Sequence, residues 1–295
     1  MSNRPSTTAL RVLRGVLSIA DREPYRALLP DGWAAAARAV LRGAGKLPCW
    51  IERFYGSSAY RGMLAMSERA RPGVVLHLVL RKRAVHDLVV EAVEAGAEQL
   101  LVVGAGYDVL GVLLGERGPA GAAVRVVEVD QPATQALKRR GLEASGGVRE
   151  GYVLVPADLS EQGLPEVLDA VEAWDPGARS AVVAEGLLMY LSEAAVAGFF
   201  AAVRSRVAAG SRLVFTYVPG EPGGGRPSLM WLVRGAVALV GEPMRWFPVP
   251  GTLEGLLAEH GWALGGPEAR DLKAYLAERP AHHFEGERLA VARAV

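Results

Sequence analysis

Apolar residues fall into two periodicities along this chain, and the change comes at Gly96. Ahead of it the spacing is helical. Leu10, Leu13, Leu17 and Ala20 recur at three- and four-residue steps and predict a helix over 9–20. An Ala-rich stretch over 33–42 follows the Asp31-Gly32 turn, and a long helical stretch over 74–95 stops at Gly96. Beyond Gly96, short apolar runs predict strands over 99–103, 124–129, 152–155, 180–184 and 212–218. Helical stretches lie between them near 131–142, 163–172 and 192–208. Strands alternating with helices predict a doubly wound, mostly parallel α/β sheet with its ligand crevice at the carboxyl ends of the strands. A Gly/Pro-rich loop over 219–227 and an apolar helical stretch over 228–240 interrupt the alternation. It resumes with a helix over 252–260 and closing strands over 262–264 and 287–292. The expected organisation is a helical N-terminal cap over 1–95, then an α/β domain over 96–295 with a lid insert at 219–250.

Composition narrows the class. With 295 residues, 51% hydrophobic and 22% charged, the chain can bury a full core and is not a disordered tail. The single cysteine, Cys49, excludes an intramolecular disulfide and a Cys-based zinc site. Lys+Arg at 33 against Asp+Glu at 32 argues against a nucleic-acid partner. The runs Arg81-Lys82-Arg83 and Lys138-Arg139-Arg140 read as solvated helix faces. Arg234 interrupts the 228–240 stretch, which is too short to span a bilayer. A cytoplasmic protein without membrane or nucleic-acid partners is the expectation; whether it forms a homo-oligomer stays open.

Candidate chemistry sits at the strand ends. Gly104-Ala105-Gly106 follows the first strand directly and allows close approach of a ligand to the backbone. Val109 stands where a dinucleotide fingerprint has its third glycine, which favours a nucleoside without a diphosphate. Glu128 and Asp130 close the second strand, and either could accept hydrogen bonds from a ribose. Asp158 and Leu159 follow the third strand, as an adenine contact or as a helix N-cap. Glu185 follows the fourth and could pair with a ligand ammonium. Tyr190 reads as a transfer-site residue or as a core aromatic. Trp50, Phe54, Tyr55 and Tyr60 cluster as core between helices or as a pocket wall.

Together these stations resemble a crevice for S-adenosylmethionine. The runs Val102-Val-Gly-Ala-Gly-Tyr-Asp108, Val127-Glu-Val-Asp-Gln-Pro132 with Lys138, Val155-Pro-Ala-Asp-Leu159 and Ala184-Glu-Gly-Leu-Leu-Met-Tyr-Leu191 resemble the leucine carboxyl methyltransferase family, including its bacterial polyketide-type O-methyltransferases. The resemblance runs from Arg81 to the C-terminus, with Gly241-Glu242-Pro243 and Leu256-Leu-Ala-Glu-His-Gly-Trp262 matching later segments. It implies a Rossmann-like class I methyltransferase fold with S-adenosyl-L-methionine as cofactor. It implies that Arg81, with Arg83 as alternate, pairs with the cofactor's carboxylate. Gly104, Ala105 and Gly106 form the cofactor loop, Asp130 the ribose acid, Asp158 and Leu159 the adenine pair, and Glu185 the acid near the amino group.

Many members continue the loop as Gly-Leu-Asp-Thr-Arg with a further Arg three residues on. Here Tyr107, Asp108, Val109 and Leu110 follow Gly106, and Leu113 stands at the later position. Residues 1–80 match no family segment. These departures argue against a protein C-terminus as acceptor, and the aromatic cluster over 50–60 together with Met230 and Trp231 of the insert points to a small, fairly apolar metabolite. The expected reaction is O-methylation of a carboxylate or hydroxyl in secondary metabolism. The alternatives are C- or N-methylation of a small molecule, or S-adenosylmethionine binding without turnover. Tyr190, Tyr217, Trp231 and Tyr55 are the candidate acceptor contacts, and Tyr190 and His86 the candidate catalytic groups; His282-His283 ranks below them. A carboxylate acceptor needs no base, whereas a hydroxyl benefits from one. No metal-ligand spacing is present, so metal independence is expected.

Overall fold

The computed structural model describes residues 5–70, 72–114, 123–220, 243–249, 251–265, 272, 284 and 286–295. Six helices precede the first strand among these residues: α1 (Thr7–Leu17), α2 (Tyr25–Leu28), α3 (Trp33–Gly43), α4 (Cys49–Gly56), α5 (Ser58–Ala70) and α6 (Val74–Glu94). Then come β1 (Gln99–Val103), α7 (Leu110–Leu114), β2 (Arg125–Asp130), α8 (Pro132–Ala144), β3 (Tyr152–Pro156), α9 (Leu164–Asp169) and β4 (Ser180–Ala184). After them follow α10 (Glu193–Arg204), β5 (Arg212–Tyr217), α11 (Thr252–Glu259), β6 (Trp262–Leu264) and β7 (Arg288–Ala294). Each strand expected from the sequence is present, with ends moved by at most two residues. Helix α1 begins earlier than its apolar spacing suggests because the Ser6 hydroxyl caps it, accepting from Ala9 N at 3.1 Å.

The strands form one sheet in the order β3-β2-β1-β4-β5-β7-β6. Strands β1 to β5 pair in parallel, and β7 lies antiparallel between β5 and β6. Alternating side chains feed two cores. Leu100, Val102, Val126, Ala181, Val183, Val214, Leu289 and Val291 face α6, α7, α8 and the cap helices. Leu101, Val127, Val129, Val182, Leu213, Phe215, Ala290 and Ala292 face α9, α10 and α11. Helix α6, placed in the cap by the sequence reading, lies on the sheet as part of this sandwich. Its residues from Leu76 to Val93 are buried on nearly every side.

The cap is joined to the sheet layer by backbone contact between α3 and α8. A Cβ on Gly141 would stand 2.2 Å from the Val40 carbonyl oxygen, and one on Gly43 would stand 2.7 Å from Ala144 Cβ. Beneath α8 lies a buried ion pair between Lys138 and Glu128, with the Tyr152 hydroxyl donating to Glu128 at 2.7 Å. Lys138 is therefore not on a solvated face; it is 0% exposed. Arg81 and Lys82 in the other basic run are also buried. Lys138 meets Glu128 of the preceding strand, while Arg81 and Lys82 meet carboxylates from elements far along the chain, which no local charge count reveals.

Gly141→Ala is expected to destabilise the protein by about 1–3 kcal/mol through overpacking, measured by urea unfolding. Gly198→Ala, where nothing lies within 4 Å of the added Cβ, is expected to be neutral or stabilising. Lys138→Met leaves Glu128 charged and buried and is expected to cost about 3–5 kcal/mol in the same measurement.

Candidate cofactor and transfer site

Strands β1 and β4 are neighbours in the sheet but not in the chain, so the crevice opens between their carboxyl ends. Gly104 (φ 71°) and Gly106 (φ 53°) turn the chain after β1 through the left-handed region, where a side chain is strained. Gly106 N donates to Asp130 Oδ2 at 2.6 Å, and Gln131 N donates to Oδ1 at 2.7 Å. The acid at the end of β2 thus fixes the glycine loop. Burial pushes its carboxyl above the usual range, against the pull of these two amides. Helix α1 covers the loop, since a Cβ on Gly106 would stand 2.9 Å from Ala9 Cβ.

The alternation that builds the sheet also builds the charged end of the crevice. Glu185, Thr216 and Glu287 share the parity of the residues facing α6. There they meet Arg81 and Lys82. Arg81 Nε lies 2.7 Å from Glu185 Oε1, and its Nη1 lies 2.6 Å from Glu287 Oε2. Lys82 Nζ lies 2.8 Å from Glu185 Oε1 and also pairs with Asp108. His77 Nε2 completes the group, 3.0 Å from Glu287 Oε2. Burial works against the charge on Arg81 and Lys82, but the carboxylates outweigh it and both hold their protons more tightly than usual. Burial likewise raises Asp108, and the Lys82 ammonium outweighs it and lowers that carboxyl.

The donor set fits an amino-acid zwitterion carried on a nucleoside. Arg81 Nε and Glu185 Oε1 are buried without a well-aligned hydrogen bond, so each keeps directional capacity. A cation and an anion stand side by side for a carboxylate and an ammonium, next to a loop of bare backbone and an acid for a ribose.

The other expected residues separate. Glu128 shares the parity of Asp130 but sits two residues inside the strand, where Lys138 and Tyr152 engage it. The ribose reading therefore passes to Asp130 alone. After β3, Asp158 is half-buried and Leu159 is exposed. Asp158 caps no helix; its Oδ1 accepts from Ser160 N at 3.0 Å and Oγ at 2.6 Å, which lowers its carboxyl. His86 lies 3.1 Å from Asp87 Oδ1. It lines a narrow cavity of about 10 Å³ with Trp33, Lys82, Asp108 and Glu185. Leu110 and Leu113, which replace the family's polar loop residues, line the same cavity, where the Trp33 indole N–H is buried without a partner.

On the acceptor side, Tyr190 packs with Met244, Phe247 and Phe284 around Met189 and Val218. The last part of the insert is anchored here, since Arg245 N and Trp246 N both donate to Met189 O, at 2.7 and 3.2 Å. Tyr217 has the opposite parity to Thr216. It packs against Phe215 and Trp246 in the core under α10, away from the charged cluster. Tyr55 stays within the cap, 5.0 Å from the Tyr60 ring. Tyr60 is core, while Trp50 and Phe54 are exposed, so the aromatic cluster divides between both environments. Trp231, His282 and His283, and most of the 219–250 insert, lie outside the described residues. No helix among the described residues is long and apolar enough to cross a membrane.

Sequence reasoning missed Lys82, His77, Glu287 and Trp33. His77 and Arg81 sit four residues apart on α6, and that spacing was a readable sign of a shared face. Glu287 lies 206 residues from Arg81 and carried no such sign.

The family model of leucine carboxyl methyltransferase matches residues 39–204, so the family match begins well before Arg81 and takes in part of the stretch in which the sequence alone showed no family segment. A Streptomyces coelicolor protein named as an S-adenosyl-L-methionine-dependent methyltransferase is 32% identical over 197 residues, 66% of this chain and 65% of that one. The chain thus spans slightly under two thirds of that relative's length. A Streptomyces avermitilis protein of the same name is 31% identical over 217 residues, 70% of each chain. The solved structure of a Thermobifida fusca protein described as a methyltransferase superposes with a TM-score of 0.61 at 20% identity, over 99% of this chain and 96% of that one. The shared fold, the matched segment and the order of the crevice residues lead to one assignment: the chain belongs to the leucine carboxyl methyltransferase family of S-adenosyl-L-methionine-dependent methyltransferases.

Proposed function

We propose that this protein transfers the methyl group of S-adenosylmethionine to an oxygen of a small, fairly apolar metabolite of secondary metabolism. The observation that carries the reading is the buried Arg81–Glu185 pair, 2.7 Å apart at the β1/β4 switch point beside the Gly104–Gly106 loop. Arg81 binds the cofactor's carboxylate and Glu185 its ammonium. Asp130 holds the ribose, and Asp158 with the Leu159 amide meets the adenine edge. S-adenosylmethionine, when bound, supplies a methyl group already activated for displacement. The chain's own task is therefore to align an acceptor and keep water out.

The cluster of Tyr190, Met244, Phe247 and Phe284 supports an apolar acceptor beside the charged end. So does the replacement of polar loop residues by Leu110 and Leu113, which pack beneath Trp33. Neither offers an anchor for a charged protein terminus.

Titration calorimetry with S-adenosylhomocysteine, with NADH as control, tests the cofactor assignment. Micromolar binding of the first and none of the second is expected; a folded protein that binds neither contradicts the reading. Asp130→Ala is expected to weaken S-adenosylhomocysteine binding about tenfold or more, since a hydrogen bond to a charged group contributes about 1.5–3 kcal/mol. Unchanged affinity would remove Asp130 from the ribose site.

A further inference from the structure

The charged cluster contains a histidine that cofactor binding leaves unexplained. His77 is 2% exposed and stands one helical turn before Arg81. Burial pushes the Glu287 carboxyl up, but Arg81, then His77 and Thr216, outweigh it and hold it far below the usual range. An ionised carboxylate only accepts, so the His77 Nε2–H donates to Glu287 across 3.0 Å. That leaves Nδ1 as the bare lone pair. It is buried and has no hydrogen-bond partner among the described residues, a state that calls for a physical explanation. The His77 ring makes a T-shaped contact with the Phe284 ring, with centroids 5.6 Å apart. Phe284 belongs to the apolar group around Tyr190. His77 thus stands where the charged cluster meets the proposed acceptor side.

Glu185, Glu287 and Asp108 pair with Arg81 and Lys82, and the neighbouring Glu128 pairs with Lys138, so four carboxylates meet three cations and one surplus negative charge remains while His77 is neutral. S-adenosylmethionine carries a carboxylate, an ammonium and a sulfonium, so its single net positive charge cancels the surplus. S-adenosylhomocysteine has lost that charge. Methylation of a hydroxyl also releases a proton.

We propose that Nδ1 of His77 takes the proton of an acceptor hydroxyl, and that the imidazolium then replaces the sulfonium as the cluster's balancing charge. The acceptor oxygen forms the new bond to the methyl carbon. Sulfur keeps the electron pair of the bond that breaks, and the hydroxyl proton ends on Nδ1. The assignment rests on the methyltransferase reading above and narrows it. The acceptor group is a hydroxyl, because a carboxylate has no proton to give up. Glu287 before β7 is the charged group in contact with His77; it also binds Arg81 on α6 and Thr216 of β5, and through Arg81 the cluster continues to Glu185 after β4, Lys82 on α6 and Asp108 after the glycine loop. Helices α1 and α2 also pack on α6. They carry Arg14, which donates to Lys46 O, and Tyr25, whose charged neighbours are Glu68 and Arg22.

The test needs no acceptor. The affinities of the full chain for S-adenosylmethionine and S-adenosylhomocysteine are measured by calorimetry across the range in which imidazoles titrate, about pH 6 to 8. Protonated His77 repels the sulfonium and not the thioether. The affinity ratio therefore rises with pH in favour of S-adenosylmethionine, by up to about tenfold per pH unit at the acid end. In His77→Gln the ratio is flat. Nitrogen NMR of the wild-type imidazoles gives a readout independent of whether that variant folds. It is expected to show His77 neutral with its proton on Nε2 in the S-adenosylmethionine complex, and doubly protonated in the S-adenosylhomocysteine complex. Binding of both ligands with a pH-independent ratio, or one His77 state in both complexes, overturns the proposal and leaves the cofactor assignment standing. Binding of neither ligand removes the cofactor assignment and the proposal with it.

Discussion

A guanidinium left 6% exposed is stable only if carboxylates surround it. Arg81 meets that constraint by drawing Glu185 from the end of β4 and Glu287 from the start of β7 onto one helix. Three elements far apart in sequence are fixed to each other by charge at the mouth of the sheet. Lys82 extends the same grouping to Asp108 at the glycine loop. The loop in turn is held to β2 through the Gly106 amide and Asp130. Both halves of the crevice are therefore tied together through two adjacent buried cations, Arg81 and Lys82, and their anions.

The sheet was legible in the sequence because strand burial is strictly periodic. Short apolar runs such as 99–103 and 180–184 have no other stable home than a sheet covered on both faces. The crevice stations were legible for a related reason: in a doubly wound sheet the chain must turn at each strand's carboxyl end, and Gly104, Asp130, Asp158 and Glu185 all stand at such turns. What was not legible depended on distance. Glu128 and Asp130 have the same parity, and only the depth of Lys138 beneath α8 separates a structural acid from a crevice acid. The face that Tyr217 takes, with Phe215 and Trp246, was readable from parity, since Thr216 beside it takes the opposite one. Glu287 could not be found from a local pattern, because its partner lies across the whole fold.

The cap changes what the crevice can accept. Gly43 and Gly141 let α3 and α8 touch backbone to backbone, which brings Trp33 over the loop that follows β1. In that setting Leu110 and Leu113 are part of the cap's footing. The apolar residues that replace the family's usual polar ones are thus explained by packing, and they leave the charged cluster as the polar feature at that end of the crevice. The groups available there for an amino-acid zwitterion are Arg81, Lys82, Glu185 and Asp108.

The central claim is that Arg81 and its carboxylates hold the amino-acid end of the cofactor. The most direct measurement compares the affinity of S-adenosylhomocysteine with that of 5′-methylthioadenosine, which lacks that end, in the wild-type protein and in Arg81→Gln. The account predicts a large preference for S-adenosylhomocysteine in the wild type that collapses in the variant, with methylthioadenosine affinity little changed. Equal weakening of both ligands, or a preference that survives the substitution, would contradict it.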